Sequence, residues 1–191
     1  MGSKFFDISE LKKPPKEENS SHFISKYLLA HYEKIKNLNK DLQRLPSEDE
    51  FFFLQSDTQF NAFTFIPFVA SSENIVSLHA TTYTINRSVI DALIQLHDES
   101  LIEQIDIMVS DSLKTRNPSV IDYLEAQLVS RPNFKITYSW VHAKVALMQT
   151  RSGYFVIEGS GNWAANAQYE QYLFTIIVMQ LVDILYVYWL F

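Results

Sequence analysis

Between positions 74 and 139 the apolar residues change period four times. "NIVSLHATTYTI" (74–85) is rich in β-branched residues and predicts a strand. "NRSVIDALIQLHDE" follows, with Val89, Ile90, Leu93, Ile94 and Leu96 on one side of a helix and Asn86 or Ser88 as its N-cap. "IEQIDIMVSD" reads as a second strand and "NPSVIDYLEAQLVSR" as a second helix, capped by Asn117 with Pro118 in its first position. "FKITYS" (134–139) is a third strand. Strand and helix alternating at this spacing imply right-handed β-α-β crossovers. The expected fold class is therefore α/β, with a mixed, largely parallel sheet flanked by helices.

The rhythm then breaks. "VHAKVALMQT", "GYFVIEGS" and "YLFTIIVM" are three strand-like runs with no room for long helices between them, which predicts antiparallel or mixed pairing at that end of the sheet. "FFFLQS" (51–56) reads as a strand, although Ser47 and Glu50 just before it make the capping-box pattern of a helix start. Upstream, Ile24, Leu28, Ile35, Leu38 and Leu42 approximate one stripe of an amphipathic helix, preceded by the exposed linker "KKPPKEENSSH". Residues 1–50 are thus expected to form an N-terminal arm and helix, and 51–191 one α/β domain. The last twenty residues, "YLFTIIVMQLVDILYVYWLF", are long enough for a bilayer span. Asp183 at mid-span would cost about 2.5–3.5 kcal/mol, so a strand over Tyr172–Met179 and a closing helix is the preferred reading over membrane contact.

Charge and composition narrow the chemistry. Residues 1–50 hold nine Lys/Arg and nine Asp/Glu, so the whole formal charge of −6 falls on 51–191. A general nucleic-acid binder presents a basic surface; here any phosphate site must be local. Cysteine is absent, which removes thiolate metal sites and disulfides. With scattered histidines as well, the expectation is no metal and no cofactor. The polar start, Met1 to Phe6, has no apolar signal core and predicts a cytoplasmic protein.

One stretch resists a purely structural explanation: "WVHAKVALMQTRSGYFVIEGSGNWAANAQYEQY" (140–172). Side chains alternate along a strand, so His142, Lys144 and Ala146 share one side, and Val141, Ala143, Val145 and Leu147 are expected to be the core face. Taken alone, this is a strand with one solvated face. Gly159 and Gly161 allow close backbone approach, and Ser160 and Asn162 add short hydrogen-bonding groups. The ordered set H-x-K, G-S-x-N and a downstream Glu170 resembles the signature of the phospholipase D superfamily. The likeness rests on His142, Lys144, Gly159, Ser160, Asn162 and Glu170. One departure is that Gln149 stands where that family usually has aspartate, and the spacing to Gly159 is a few residues longer than usual.

The resemblance implies a phospholipase D-like fold and a phosphodiesterase in which His142 attacks phosphorus to give a phosphohistidine. Lys144, Ser160 and Asn162 would hold the phosphoryl oxygens, with Gly159 and Gly161 in the substrate-binding turn, and Glu170 would orient an imidazole. His22, His31, His79 and His97 all lack a lysine two residues later, so the chain holds one H-x-K. The scheme needs two histidines, which implies a homodimer with two copies of His142 facing each other. The leading expectation is a metal-independent nuclease. A phospholipid head-group hydrolase and a non-catalytic phosphate-binding dimer module are the alternatives.

Overall fold

The computed structural model describes residues 29–35, 37–48, 50–56, 60–166 and 169–177. The expected linker and the closing segment beyond 177 lie outside these residues. The described chain builds one eight-stranded sheet in the order β1-β2-β8-β7-β6-β3-β4-β5. The strands are β1 (Leu29–Ile35), β2 (Glu50–Ser56), β3 (Ile75–Thr82), β4 (Ile102–Ser110), β5 (Phe134–Ser139), β6 (Val145–Gln149), β7 (Tyr154–Gly159) and β8 (Gln171–Ile177). The helices are α1 (Leu38–Asp41), α2 (Phe65–Ala70), α3 (Arg87–Asp98), α4 (Leu113–Arg116) and α5 (Pro118–Leu128).

The expected α/β class holds, and the sheet is mixed. It is not largely parallel: β1–β2, β3–β4 and β4–β5 are parallel, while β2–β8, β8–β7, β7–β6 and β6–β3 are antiparallel. The parallel pairs are where a connection is long enough to cross over, as α3 and α5 do after β3 and β4. The last three strands follow one another through short connections and can only return antiparallel.

The N-terminal helix expectation fails. Residues 29–35 form a strand in register with β2, from Leu29 opposite Glu50 to Ile35 opposite Ser56. Among the described residues the helical stripe keeps the single turn α1, and Leu38 in it and Leu42 at its C-cap are buried in the common core. Propensity and period gave way to an available sheet edge. The Ser47/Glu50 signal also has a different use. The Glu50 carboxylate accepts from Ser47 N–H (3.0 Å) and Oγ (2.6 Å), and forms a two-pronged pair with Arg44 (2.7 and 3.1 Å). It closes a turn into β2 instead of starting a helix.

The helices bury one face of the sheet, formed by Phe52 and Leu54, Phe174 and Ile176, Phe155 and Ile157, Ala146 and Met148, Leu78 and Ala80, and Ile105 and Ile107. Phe65 of α2 packs its ring 5.3 Å from both Tyr172 and Phe174. Asn86 caps α3 by accepting from Val89 N–H at 3.0 Å, as its sequence position predicts. Pro118 opens α5, but Asn117 accepts from the Ser119 hydroxyl (3.1 Å) instead of capping a backbone N–H.

Candidate active site at the rim of the sheet

Topology gathers the motif at one rim. Thr81 near the end of β3 lies opposite Val145 at the start of β6, which lies opposite Glu158 near the end of β7. Gly159 then faces Tyr172, and Gln171 faces Gln55 near the end of β2. The carboxyl ends of β2, β3, β4, β5 and β7 therefore share this rim, the usual position of ligand sites in open α/β sheets.

His142 and Lys144 do not sit on a strand. They lie in the irregular segment 141–144 that crosses the rim from β5 to β6. Their expected proximity nevertheless holds: Lys144 Nζ is 3.0 Å from His142 Nδ1 and donates to the His142 carbonyl at 2.7 Å. The expected assignment of faces is reversed. Ala146 and Met148 face the helix-covered core, with Lys144 running towards the same side, while Leu147 is buried on the other face. The imidazole is exposed; the lysine is only 9% exposed.

Burial lowers the Lys144 pKa below the ordinary lysine value, and the negative charge of Glu170 partly opposes this. Because Nδ1 of His142 meets an ammonium, it acts as acceptor, and a neutral ring in this state carries its proton on Nε2. A third group, an aromatic ring, completes this cluster. Tyr83, just beyond β3, stands with its ring 4.8 Å from His142, and its face receives Lys144 Nζ at 5.8 Å and Arg116 Cζ at 4.4 Å. Sequence reasoning left Tyr83 inside a strand; its position at the carboxyl end of a parallel strand was the signal available.

Ser160 and Glu170 form the neighbouring element. The Ser160 hydroxyl donates to the Glu170 carboxylate and accepts from Gln171 N–H at 3.1 Å. Glu170 is fixed through its backbone, with N–H donating to Ser56 Oγ (2.7 Å) and C=O accepting from Ser56 N–H (2.9 Å). The carboxylate is thus joined to Ser160 and acts on Lys144 through its field, while the nitrogen of His142 that a carboxylate was expected to orient is taken by Lys144.

Asn162 lies on the turn after β7. Its N–H donates to Asn166 Oδ1 (2.7 Å), and Asn166 Nδ2 reaches both Asn162 C=O and Phe60 C=O (2.8 Å each). Asn166 is thus a clasp that the sequence reading missed; a second asparagine four residues after the motif asparagine is its only trace. Asn162 Oδ1 is buried with no hydrogen-bond partner among the described residues. Such an orphan costs about 1–3 kcal/mol and offers an acceptor to whatever enters the rim.

The two glycines are needed for packing. A Cβ on Gly161 would stand 2.1 Å from the Tyr172 hydroxyl, and one on Gly159 would stand 2.4 Å from Gln171 C=O. The close approach they permit is to β8 of their own chain. Gln149, at the motif's aspartate position, lies at the opposite end of β6 and accepts from Ser77 Oγ at 3.0 Å. It belongs to the sheet, far from His142.

No family model matches the chain, and no curated protein matches it. Among solved structures, 37 chains match its fold. One is the crystal structure of polyphosphate kinase from Porphyromonas gingivalis, at 18% sequence identity with a TM-score of 0.57, covering 77% of this chain and 27% of that one. The present chain therefore spans about a quarter of that protein. The likeness concerns the fold alone.

Proposed function

We propose that this protein is a metal-independent phosphodiesterase of the phospholipase D type, acting on nucleic-acid phosphodiesters as a homodimer with His142 as nucleophile. The observation that carries the proposal is the exposed imidazole bonded to a buried ammonium at the rim, beside the Ser160–Glu170 pair.

A diester anion repels nucleophiles, so its charge must be offset before attack. Lys144 supplies a compact cation on a side chain already desolvated by the fold, where its field is least screened. The nitrogen of one His142 forms a bond to phosphorus as the bond to the leaving oxygen breaks. The second His142, from the other copy, gives its proton to that oxygen. Water then attacks phosphorus, the N–P bond breaks, and the proton taken from water returns the second ring, neutral since it protonated the leaving oxygen, to its imidazolium form. The donor copy is the imidazolium, with protons on both nitrogens, so its Nδ1 has left the Lys144 ammonium before it acts as an acid. The attacking copy must loosen its Nδ1 contact with Lys144 and carry its proton there instead, which frees Nε2. Substrate phosphate competing for the ammonium supplies a driving force for that exchange.

The fold likeness to a polyphosphate kinase favours a second reading, in which the same phosphohistidine is relieved by an acceptor other than water. The test is to incubate the full chain in EDTA with single- and double-stranded DNA, RNA, a chromogenic phosphodiester and phosphatidylcholine vesicles. Nucleic-acid hydrolysis that persists in EDTA and is lost in His142→Ala supports the proposal. Activity that vanishes in EDTA and returns with a divalent ion contradicts it. Cleavage of lipid alone moves the activity to head groups, and binding without turnover leaves a non-catalytic module.

A further inference from the structure

The rim carries one feature that hydrolysis of a small diester would not require. Trp140, two residues before His142, is 86% exposed, the most exposed aromatic side chain among the described residues. Its orientation has a structural cause. Val141 N–H donates to Ser139 C=O at 2.8 Å, closing a three-residue turn centred on Trp140 that turns the chain off β5 and leaves the indole in solvent. Ser139, the residue before Trp140, pairs with Ser110 at the end of β4, and α4 with its cations follows three residues later. Arg116 lies over Tyr83, the ring that also touches His142, and its guanidinium donates to Ser112 Oγ at 3.2 Å. Lys114 covers the ring of Tyr138 at 3.8 Å. Among the described residues neither cation is in an ion pair, whereas Arg44 and Arg131 are. Tyr169, 60% exposed, precedes Glu170 on the same rim.

We propose that Trp140 and Arg116 form a seat for single-stranded nucleic acid, with a base stacked on the indole and the phosphate next to the scissile one held by the guanidinium. The inference rests on the phosphodiesterase reading and names its substrate class. An aromatic face with a cation close by is the pairing by which proteins hold unpaired bases without reading sequence, and a base inside a duplex cannot offer its face to Trp140. A lipid surface would call for several apolar side chains on the rim; here Ser139 precedes Trp140 and accepts from the backbone N–H of an exposed Asp111, which leads into α4. The net charge of −6 and Asp111 limit the phosphate contacts to few, so the salt dependence is shallow.

Labelled short oligonucleotides, single-stranded and hybridised, are titrated in EDTA at several salt concentrations against the full chain and its Trp140→Ala, Trp140→Phe and Arg116→Ala variants. The single strand binds more tightly than the duplex. Trp140→Ala weakens single-strand binding at least about fivefold, the low end for losing one stacked base, and Trp140→Phe restores most of it. Arg116→Ala lowers the slope of log affinity against log salt by about 0.7. In turnover, both alanine variants lower the ratio of oligonucleotide to chromogenic-diester cleavage. Equal binding of duplex and single strand, an unchanged affinity in Trp140→Ala, or capture of phosphatidylcholine vesicles in place of oligonucleotides overturns the seat. Binding with the expected losses but no cleavage keeps the seat and removes the hydrolase. Cleavage indifferent to Trp140 does the reverse.

Discussion

The two ends of the sheet treat histidine in opposite ways. At the end away from the motif, His97 has both ring nitrogens occupied, Nδ1 against Asp98 at 3.0 Å and Nε2 against Asn133 at 2.9 Å. Asp98 in turn is clasped by Arg131 through two contacts of 2.8 and 2.6 Å. At the motif rim, His142 has one nitrogen against a lysine, Asn162 keeps a buried acceptor unpaired, and Lys144 is buried next to an imidazole. The first arrangement closes on itself and stabilises the fold. The second leaves Lys144 with no carboxylate bonded to it and Asn162 Oδ1 with no donor among the described residues, and groups left incomplete in this way mark a site better than a charge does.

Exchanging the two histidines for alanine is the sharpest way to break this contrast. His142→Ala should lower diester turnover by about five to six orders of magnitude, the scale for removing a nucleophile, with the melting temperature unchanged. His97→Ala should do the reverse, costing roughly 1–3 kcal/mol of stability while turnover per folded molecule is kept. Steady-state kinetics beside thermal melts read both. Loss of activity in both variants, or in neither, would erase the distinction between the two ends.

A second pair of variants tests whether the glycines serve packing. Gly161→Ala should destabilise by about 1–3 kcal/mol through overpacking against the Tyr172 hydroxyl, and Tyr172→Phe in the same chain should recover part of it. If the double variant is no more stable than the single one in chemical denaturation, Gly161 is held by something other than Tyr172.

Smaller effects come from pH. Burial already lowers the Lys144 pKa, and Glu170 opposes that shift. Glu170→Gln removes the opposing charge, so the alkaline limb of activity should move to lower pH, which a pH–rate profile reads directly; a shift upward would reverse the assigned coupling. At the opposite end, hydrogen bonds from Arg131, then from His97, hold the Asp98 carboxyl well below the ordinary carboxylate range. A depressed folded-state pKa adds stability above the unfolded value of about 3.9 and loses it as pH falls towards the folded value. Arg131→Met should therefore flatten the decline of melting temperature on acidification and leave diester turnover unaltered.

The same contrast explains what the sequence could reveal. The β3–α3–β4–α5–β5 flank was legible because its periods are clean and its ends carry local signals, Asn86 above all. Residues 29–35 were not, since a strand that exists by pairing with β2 has only tertiary context to announce it. Helix α2 was missed because its six residues are almost wholly apolar and have no period to read. In the site, the H-x-K spacing gave the Lys144–His142 contact even though no strand carries it. Tyr83 and Arg116 come from a loop and a one-turn helix distant in sequence, and only folding brings them to the motif; Asn166 lies within the motif stretch, where only its spacing from Asn162 marks it as the clasp of the turn.

The central claim is a bond between His142 and phosphorus, and trapping it is the most direct measurement. Protein quenched at alkaline pH while turning over a chromogenic phosphodiester should yield a peptide bearing the phosphoryl ester on His142 by mass spectrometry, absent from His142→Ala. An adduct on another residue, or turnover by His142→Ala at the wild-type rate, would contradict the account.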